Sequence, residues 1–160
     1  ILRANSLARI NMTNEFGTGC ADGYLKRFRE AFGRPAHAIL FFDLCRGIEL
    51  VYAMERAIEM LSDDLNYMDP DIPYKPQDGI GYGLVEAPRG PLIHRYVVEN
   101  GRIADAQFII PTVHNMLAIE RALNVVAKRY IHSDHINLEL EKAVGRVVRA
   151  FDPCIACATQ

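Results

Sequence analysis

The chain has 160 residues, 50% of them hydrophobic and 24% charged, with a formal net charge of -2. That composition suits a globular domain with apolar mass for one core, and it lacks the basic stripe that a nucleic-acid partner needs. No stretch reaches the roughly 18 uninterrupted apolar residues of a membrane span, so no direct span is expected. No signal-peptide pattern is seen, and the chain opens on Ile1 rather than methionine, so its natural N-terminus is expected further upstream.

Residues 1–23 carry Asn, Thr, Gly and Asp at short intervals and read as irregular, with at most one helical turn near Ser6–Ile10. Tyr24 to Phe32 reads as a helix that stops at Gly33, with Pro35 just beyond. A long helix is predicted from about Ala36 to Leu61, because Leu40, Leu44, Ile48, Val51, Ala57, Ile58 and Leu61 recur at threes and fours. Its charged residues, among them Asp43, Arg46 and Glu49, mark it as a core helix rather than a membrane segment. Ser62 to Gly79 holds Pro70, Pro73 and Pro76 and reads as a loop.

Beyond that loop the period changes. Gly83 to Glu86, Leu92 to Glu99 and Arg102 to Ile110 read as short strands. Asn100-Gly101 between the last two is a strong hairpin signal, since both residues tolerate positive φ. Helical periodicity returns from His114 to about Ile131 and again from Asn137 to Arg149, where Asp152-Pro153 ends it. The predicted class is α+β and helix-dominant, with long helices packed around a small antiparallel hairpin in a single domain.

Four cysteines are too few for a disulfide-stapled secreted domain of this length. Two of them form Asp152-Pro-Cys154-Ile-Ala-Cys157-Ala-Thr-Gln160. Thiolates at that spacing can grip one metal ion or bridge two, and they suit nickel, iron, zinc or copper(I). Three plainer readings compete. A thioredoxin-like redox pair starts a helix that lowers one thiol's pKa, yet only three residues follow Cys157. A structural zinc site needs further ligands, for which Cys20, Cys45, His132 and His135 are the candidates. The pair can also be buried cysteines without a role.

Four ordered segments then carry a resemblance. Asp152-Pro-Cys-x-x-Cys157 is similar to the closing signature of nickel-iron hydrogenase large subunits. Glu86-Ala-Pro-Arg-Gly90 and Ile110-Pro-Thr-Val-His-Asn115 resemble two further blocks of that family at matching relative places, and Ser6-Leu-Ala-Arg-Ile-Asn11 resembles its segment upstream of the long helix. The likeness spans nearly the whole chain. It is closest to the cytosolic hydrogenases that reduce soluble carriers, which implies a cytoplasmic protein.

The resemblance implies a nickel-iron centre whose iron carries carbon monoxide and cyanide. Cys154 would be a terminal nickel ligand and Cys157 a bridging one. Ala87, Pro88 and Arg89, with Pro111 and Thr112, would line the pocket of the diatomic ligands, the Thr112 hydroxyl donating to a cyanide. Arg89 would sit over the open metal position, oriented by Asp152 through a charge-assisted pair; these two are the expected catalytic residues. Without the motif, Arg89 reads as an ordinary structural arginine. Glu86 is expected to pair with a nearby arginine, and His94 and His114 to be structural.

Two departures from the family stand out. Its second Cys-x-x-Cys and a proton-passing glutamate lie in an N-terminal half that this sequence does not contain. A partner chain or segment carrying that pair is therefore expected. So are a small iron–sulfur subunit and one more that reduces an electron carrier. Gln160 stands where the family has a histidine that holds a magnesium or iron ion near the C-terminus. An amide oxygen is a weaker ligand there. The implied activity is reversible oxidation of H2. The alternatives are a hydrogenase-derived structural or coupling subunit without nickel, and a small metal-binding domain using Cys154 and Cys157 alone.

Overall fold

A computed structural model describes residues 1–62, 73–132 and 137–158. The chain order is α1 (Ser6–Met12), α2 (Gly19–Phe32), α3 (Phe41–Ser62), β1 (Gly79–Ala87), β2 (Gly90–Glu99), β3 (Arg102–Ile109), α4 (Pro111–His114), α5 (Met116–Tyr130), α6 (Leu138–Phe151) and α7 (Ile155–Ala158). This is the helix-dominant α+β class expected from the sequence. Most of the predicted Ser62–Gly79 loop, together with His135 and Gln160, lies outside the described residues.

The helical boundaries differ from the periodicity reading where distant side chains intervene. Helix α2 begins at Gly19, five residues before Tyr24. Thr18 supplies no capping hydrogen bond from its side chain. The Glu55 carboxylate of α3 accepts instead from the Cys20 and Ala21 amides at 2.8 and 2.9 Å. Those are orphan donors of a first helical turn, satisfied here by a residue 35 positions away. Helix α3 begins at Phe41 rather than Ala36. Asn11 takes both backbone groups of Ala36, accepting from its N–H at 3.0 Å and donating to its carbonyl at 2.8 Å. A residue clamped in this way has nothing left for a helical ladder.

Pro111 stands at the first position of α4, where its missing N–H costs nothing. The predicted helix from His114 is divided at Asn115, which separates α4 from α5. The three strands form one antiparallel sheet in the order β1-β2-β3. Asn100 and Gly101 both have positive φ at the second hairpin tip, as their sequence predicted. Asp78 accepts from both of their amides at 2.9 Å. Strand β1 is longer than the four residues read from sequence, because Gly79, Gly81 and Gly83 mute its strand propensity.

The core is helical. Leu7, Ile10, Leu25, Phe28, Phe42, Cys45, Ile48, Val147 and Phe151 form it, with Phe42 and Phe151 edge to face at 5.2 Å. Every residue of β3 and nearly all of β1 is exposed. The chain exposes 11800 Å² of surface, against roughly 8,000 Å² for a compact monomer of 18.0 kDa. Large apolar residues such as Leu50, Met54, Ile58, Tyr82, Leu84 and Leu117 face solvent. A surplus of that size and character is what interaction surfaces show.

Candidate metal centre

The site is built around the tip of the β1–β2 hairpin. Ala87 pairs with Gly90, so Pro88 and Arg89 form a two-residue turn. The tip rests on the start of the chain. Gly90 has φ 133°, and a Cβ there would lie 2.5 Å from the Ala4 Cβ. Only glycine meets both the backbone and the spacing.

The segment Ala4-Asn5-Ser6 ties four elements together at this point. The Ala4 N–H donates to Asn115 Oδ1 at 2.9 Å, and Asn5 Nδ2 donates to the Phe151 carbonyl at 3.1 Å. Asn5 and Asn115 are both buried. Buried amides with partners of this kind fix position, because losing one partner strands the other. Asn5 Oδ1 accepts from the Ser6 N–H and caps α1, while the Ser6 hydroxyl donates to Glu49.

Arg9, one helical turn beyond Ser6, holds the hairpin tip down. Its Nε and Nη2 donate to the two oxygens of Glu49 at 2.6 and 2.7 Å. Its Nη1 reaches Glu86 at 2.8 Å and the Ala87 carbonyl at 3.2 Å, and Nη2 reaches the Pro88 carbonyl at 2.8 Å. Burial pulls the Arg9 pKa down, but the Glu49 and Glu86 carboxylates outweigh it and raise the guanidinium above its ordinary value. Glu86 thus pairs with an arginine, as expected.

On the other side of the tip, Arg89 faces the C-terminal turn. Its Nη2 lies 2.8 Å from Asp152 Oδ2, and its Nε donates to the Asp152 carbonyl. The ion pair expected from the sequence is present. Asp152 adopts the left-handed conformation at the end of α6, which turns the chain out of the helix towards Cys154. The Arg89 Nη1 amino group has no partner among the described residues.

Thr112 is buried, and its hydroxyl oxygen accepts from the Cys154 N–H at 3.1 Å. That bond does not use the hydroxyl hydrogen, which has no acceptor among the described residues. Pro111 is buried beside it, 3.7 Å from where a Gly90 Cβ would stand. Cys154 directly precedes the single turn of α7 and Cys157 lies within it, with Cα atoms 5.3 Å apart and their sulfurs joined as a disulfide. Once reduced, the pair presents two soft donors on one side of that turn.

Arg89, Asp152, Thr112 and the Cys154–Cys157 turn are thus joined by direct contacts, with Ala87, Pro88 and Pro111 at the same junction. Cys20 and Cys45 lie elsewhere. Cys45 fills the core, and burial pushes its thiol up to about 12. Among the described residues no group of three or more His, Cys, Asp or Glu side chains could hold a metal ion. Two thiolates by themselves are half of a four-coordinate donor set. Gln160 lies outside the described residues.

Sequence reasoning missed Arg9, Glu49, Asn5 and Asn115 as builders of the site. The signal for Arg9 was present in the Ser6–Asn11 block, where Ser6 and Arg9 fall on one helix face. Nothing local points from Arg9 to Glu49, which is 40 positions away.

The fold and this junction define a helix-dominant chain that brings a Cys-x-x-Cys pair, an arginine, an aspartate and a threonine to one place. A sequence model of the nickel-dependent hydrogenases matches residues 25–160. The chain belongs to that family and corresponds to the C-terminal part of its large subunit.

Among its relatives are a vhc F420-non-reducing hydrogenase of Methanococcus voltae and the alpha component of sulfhydrogenase 2 of Pyrococcus furiosus. The first is 35% identical over 98% of this chain and 34% of its own length. The second is 34% identical over 96% of this chain and 37% of its own. The chain thus spans about a third of the length of these relatives. An NAD+-reducing [NiFe]-hydrogenase, crystallised in its H2-reduced state, superposes with a TM-score of 0.87 at 31% identity. The match covers 99% of this chain and 36% of that one. A Ni-Fe-Se hydrogenase from D. vulgaris Hildenborough shares the fold, with a TM-score of 0.60 at 24% identity over 99% of this chain and 35% of that one.

Proposed function

We propose that this chain supplies one half of a nickel-iron centre that oxidises H2 reversibly to two protons and two electrons. Cys154 and Cys157 are its two thiolate ligands. The other two come from a Cys-x-x-Cys in the remainder of the large subunit, whether continuous with this chain or a separate polypeptide. A bound centre of this type supplies an electrophilic, redox-active site for heterolytic H2 cleavage. The observation that carries the reading is the convergence of Arg89, Thr112 and the Cys154–Cys157 turn on one junction.

Each residue has a task that its contacts allow. Asp152 orients Arg89, whose Nη1, unpartnered among the described residues, can donate to an anionic diatomic ligand or hold a proton position beside it. Thr112 fixes the Cys154 backbone by accepting from it, and keeps its own hydrogen for a second ligand, a contact that would tune the centre. Ala87, Pro88 and Pro111 wall the pocket, and Gln160 is the proposed position for a weakly held magnesium or iron ion. Electrons leave through a small iron–sulfur subunit towards another that reduces a nicotinamide or deazaflavin carrier, in the cytoplasm. No helix among the described residues is long and apolar enough to cross a membrane.

Metal analysis of the natively purified assembly, with infrared spectra over the carbonyl and cyanide stretching region, tests this. The expected result is nickel in the complex together with those bands. Zinc alone, or a matured assembly with no metal and no bands, contradicts it and leaves a non-catalytic structural or coupling subunit.

A further inference from the structure

Helices α5 and α6 leave a groove of about 620 Å³ between them, lined also by Ile39 and Leu40 ahead of α3. Its floor is small and apolar: Ala118, Ala122, Val126, Ala143 and Val147. Three of these, Ala118, Ala143 and Val147, are already buried, so the floor is packed and the opening lies above it. Alanines at such a floor let a third helix approach closely, since interaxial distance follows side-chain size.

The walls are cationic. Arg121 and Arg129 stand on α5 and Arg146 on α6, Arg3 joins them, and no carboxylate among the described residues lines the groove. Arg3 donates to the His37 carbonyl at 2.6 Å. Arg121, Arg129 and Arg146 are exposed and have no ion pair among the described residues. The pattern is selective, because this chain pairs many of its other cations: Arg9, Arg46, Arg56, Arg89, Arg95 and Lys142 all hold carboxylates.

We infer that this groove seats an amphipathic helix from the remainder of the large subunit, with an apolar spine on the alanine floor and Asp or Glu on both flanks facing Arg121, Arg129 and Arg146. An apolar floor is what helix-in-groove recognition uses, and charged walls add register and exclude wrong partners. The source follows from length, since about two thirds of the matched relatives lies outside this chain. The inference rests on the proposed function only in taking the missing polypeptide to be that of the large subunit.

The test uses the complete assembly carrying Val125→Cys, a substitution at an exposed position in the groove, labelled with a photoreactive maleimide cross-linker. Mass spectrometry is expected to find the cross-link on a large-subunit helix with carboxylates flanking an apolar stripe. A cross-link to the small subunit, to a second copy or to a segment without carboxylates overturns the inference. So does a cysteine that gives no protein cross-link and reacts with solvent reagents at the rate of a free peptide.

A second experiment combines Arg121→Glu with Arg129→Glu, which should lower recovery of the assembled complex about tenfold. Changing the cross-linked carboxylates to lysine should restore it; unaltered recovery in the double variant overturns the inference. Nickel and the infrared bands are read on the same wild-type preparation. A metal-loaded complex with the cross-link elsewhere removes this docking surface alone. The acidic helix in a complex without nickel removes the proposed function alone.

Discussion

Two arginines meet at the same hairpin tip, Arg9 reaching it from α1 and Arg89 belonging to the turn itself, and they are used very differently. Arg9 commits all of its donor groups to the chain itself: both oxygens of Glu49, one of Glu86, and the carbonyls of Ala87 and Pro88. Arg89 holds Asp152 through Nε and Nη2 and leaves Nη1 unpartnered among the described residues. A saturated guanidinium is a fastener, whereas one anchored on one side and open on the other is poised for a ligand. The Arg9 side therefore makes the site rigid, and the Arg89 side makes it available.

That contrast breaks most readily at Arg9. Arg9→Ala strands a partly buried Glu49 and frees the tip, and should cost about 2–4 kcal/mol, a buried-pair loss reduced for partial exposure. A denaturant midpoint close to wild type would show that the tip is held by other means. Gly90→Ala comes next, at about 2–3 kcal/mol, from a positive φ and a methyl driven into Ala4; a thermal melt checks it. Arg89→Ala should cost under about 1 kcal/mol, because its pair with Asp152 is substantially exposed. In the assembly proposed above, the same change is expected to lower H2 oxidation about a hundredfold. Equal stability losses for Arg9→Ala and Arg89→Ala would erase the distinction between them.

A smaller effect lies away from the tip. Cys20 and then Ala21 donate their backbone N–H groups to Glu55 and hold its carboxyl down at about 2, from an ordinary 4.5. A carboxyl depressed on folding stabilises the fold fully above its unfolded pKa and loses that contribution as pH falls through the folded one. This cap should therefore weaken between about pH 4.5 and pH 2. Glu55→Gln should flatten stability over that window, as measured by denaturation at each pH.

The local chemistry of the fold could be read in advance. Asn100-Gly101 gave the hairpin, Gly33 the end of α2, and Asp152-Pro153 the end of α6. What escaped depended on residues far apart in the chain. Glu55 starting α2 early, Asn11 delaying α3 and Asn115 dividing a helix to hold Ala4 are long-range hydrogen bonds that periodicity cannot register. The site divided in the same way. Arg89, Asp152, Thr112 and the cysteine pair sit in recognisable motifs, and the structure brings them together. Arg9 and Glu49, which hold that arrangement in place, meet only after folding.

The proposed centre stands or falls on nickel binding by Cys154 and Cys157. X-ray absorption at the nickel edge, on the assembled complex with and without Cys154→Ser and Cys157→Ser, tests it most directly. The account predicts sulfur-rich nickel coordination in the parent assembly, and loss of nickel or of sulfur scatterers in the double variant while the subunits still associate. A double variant that keeps nickel with an unchanged sulfur shell would contradict it.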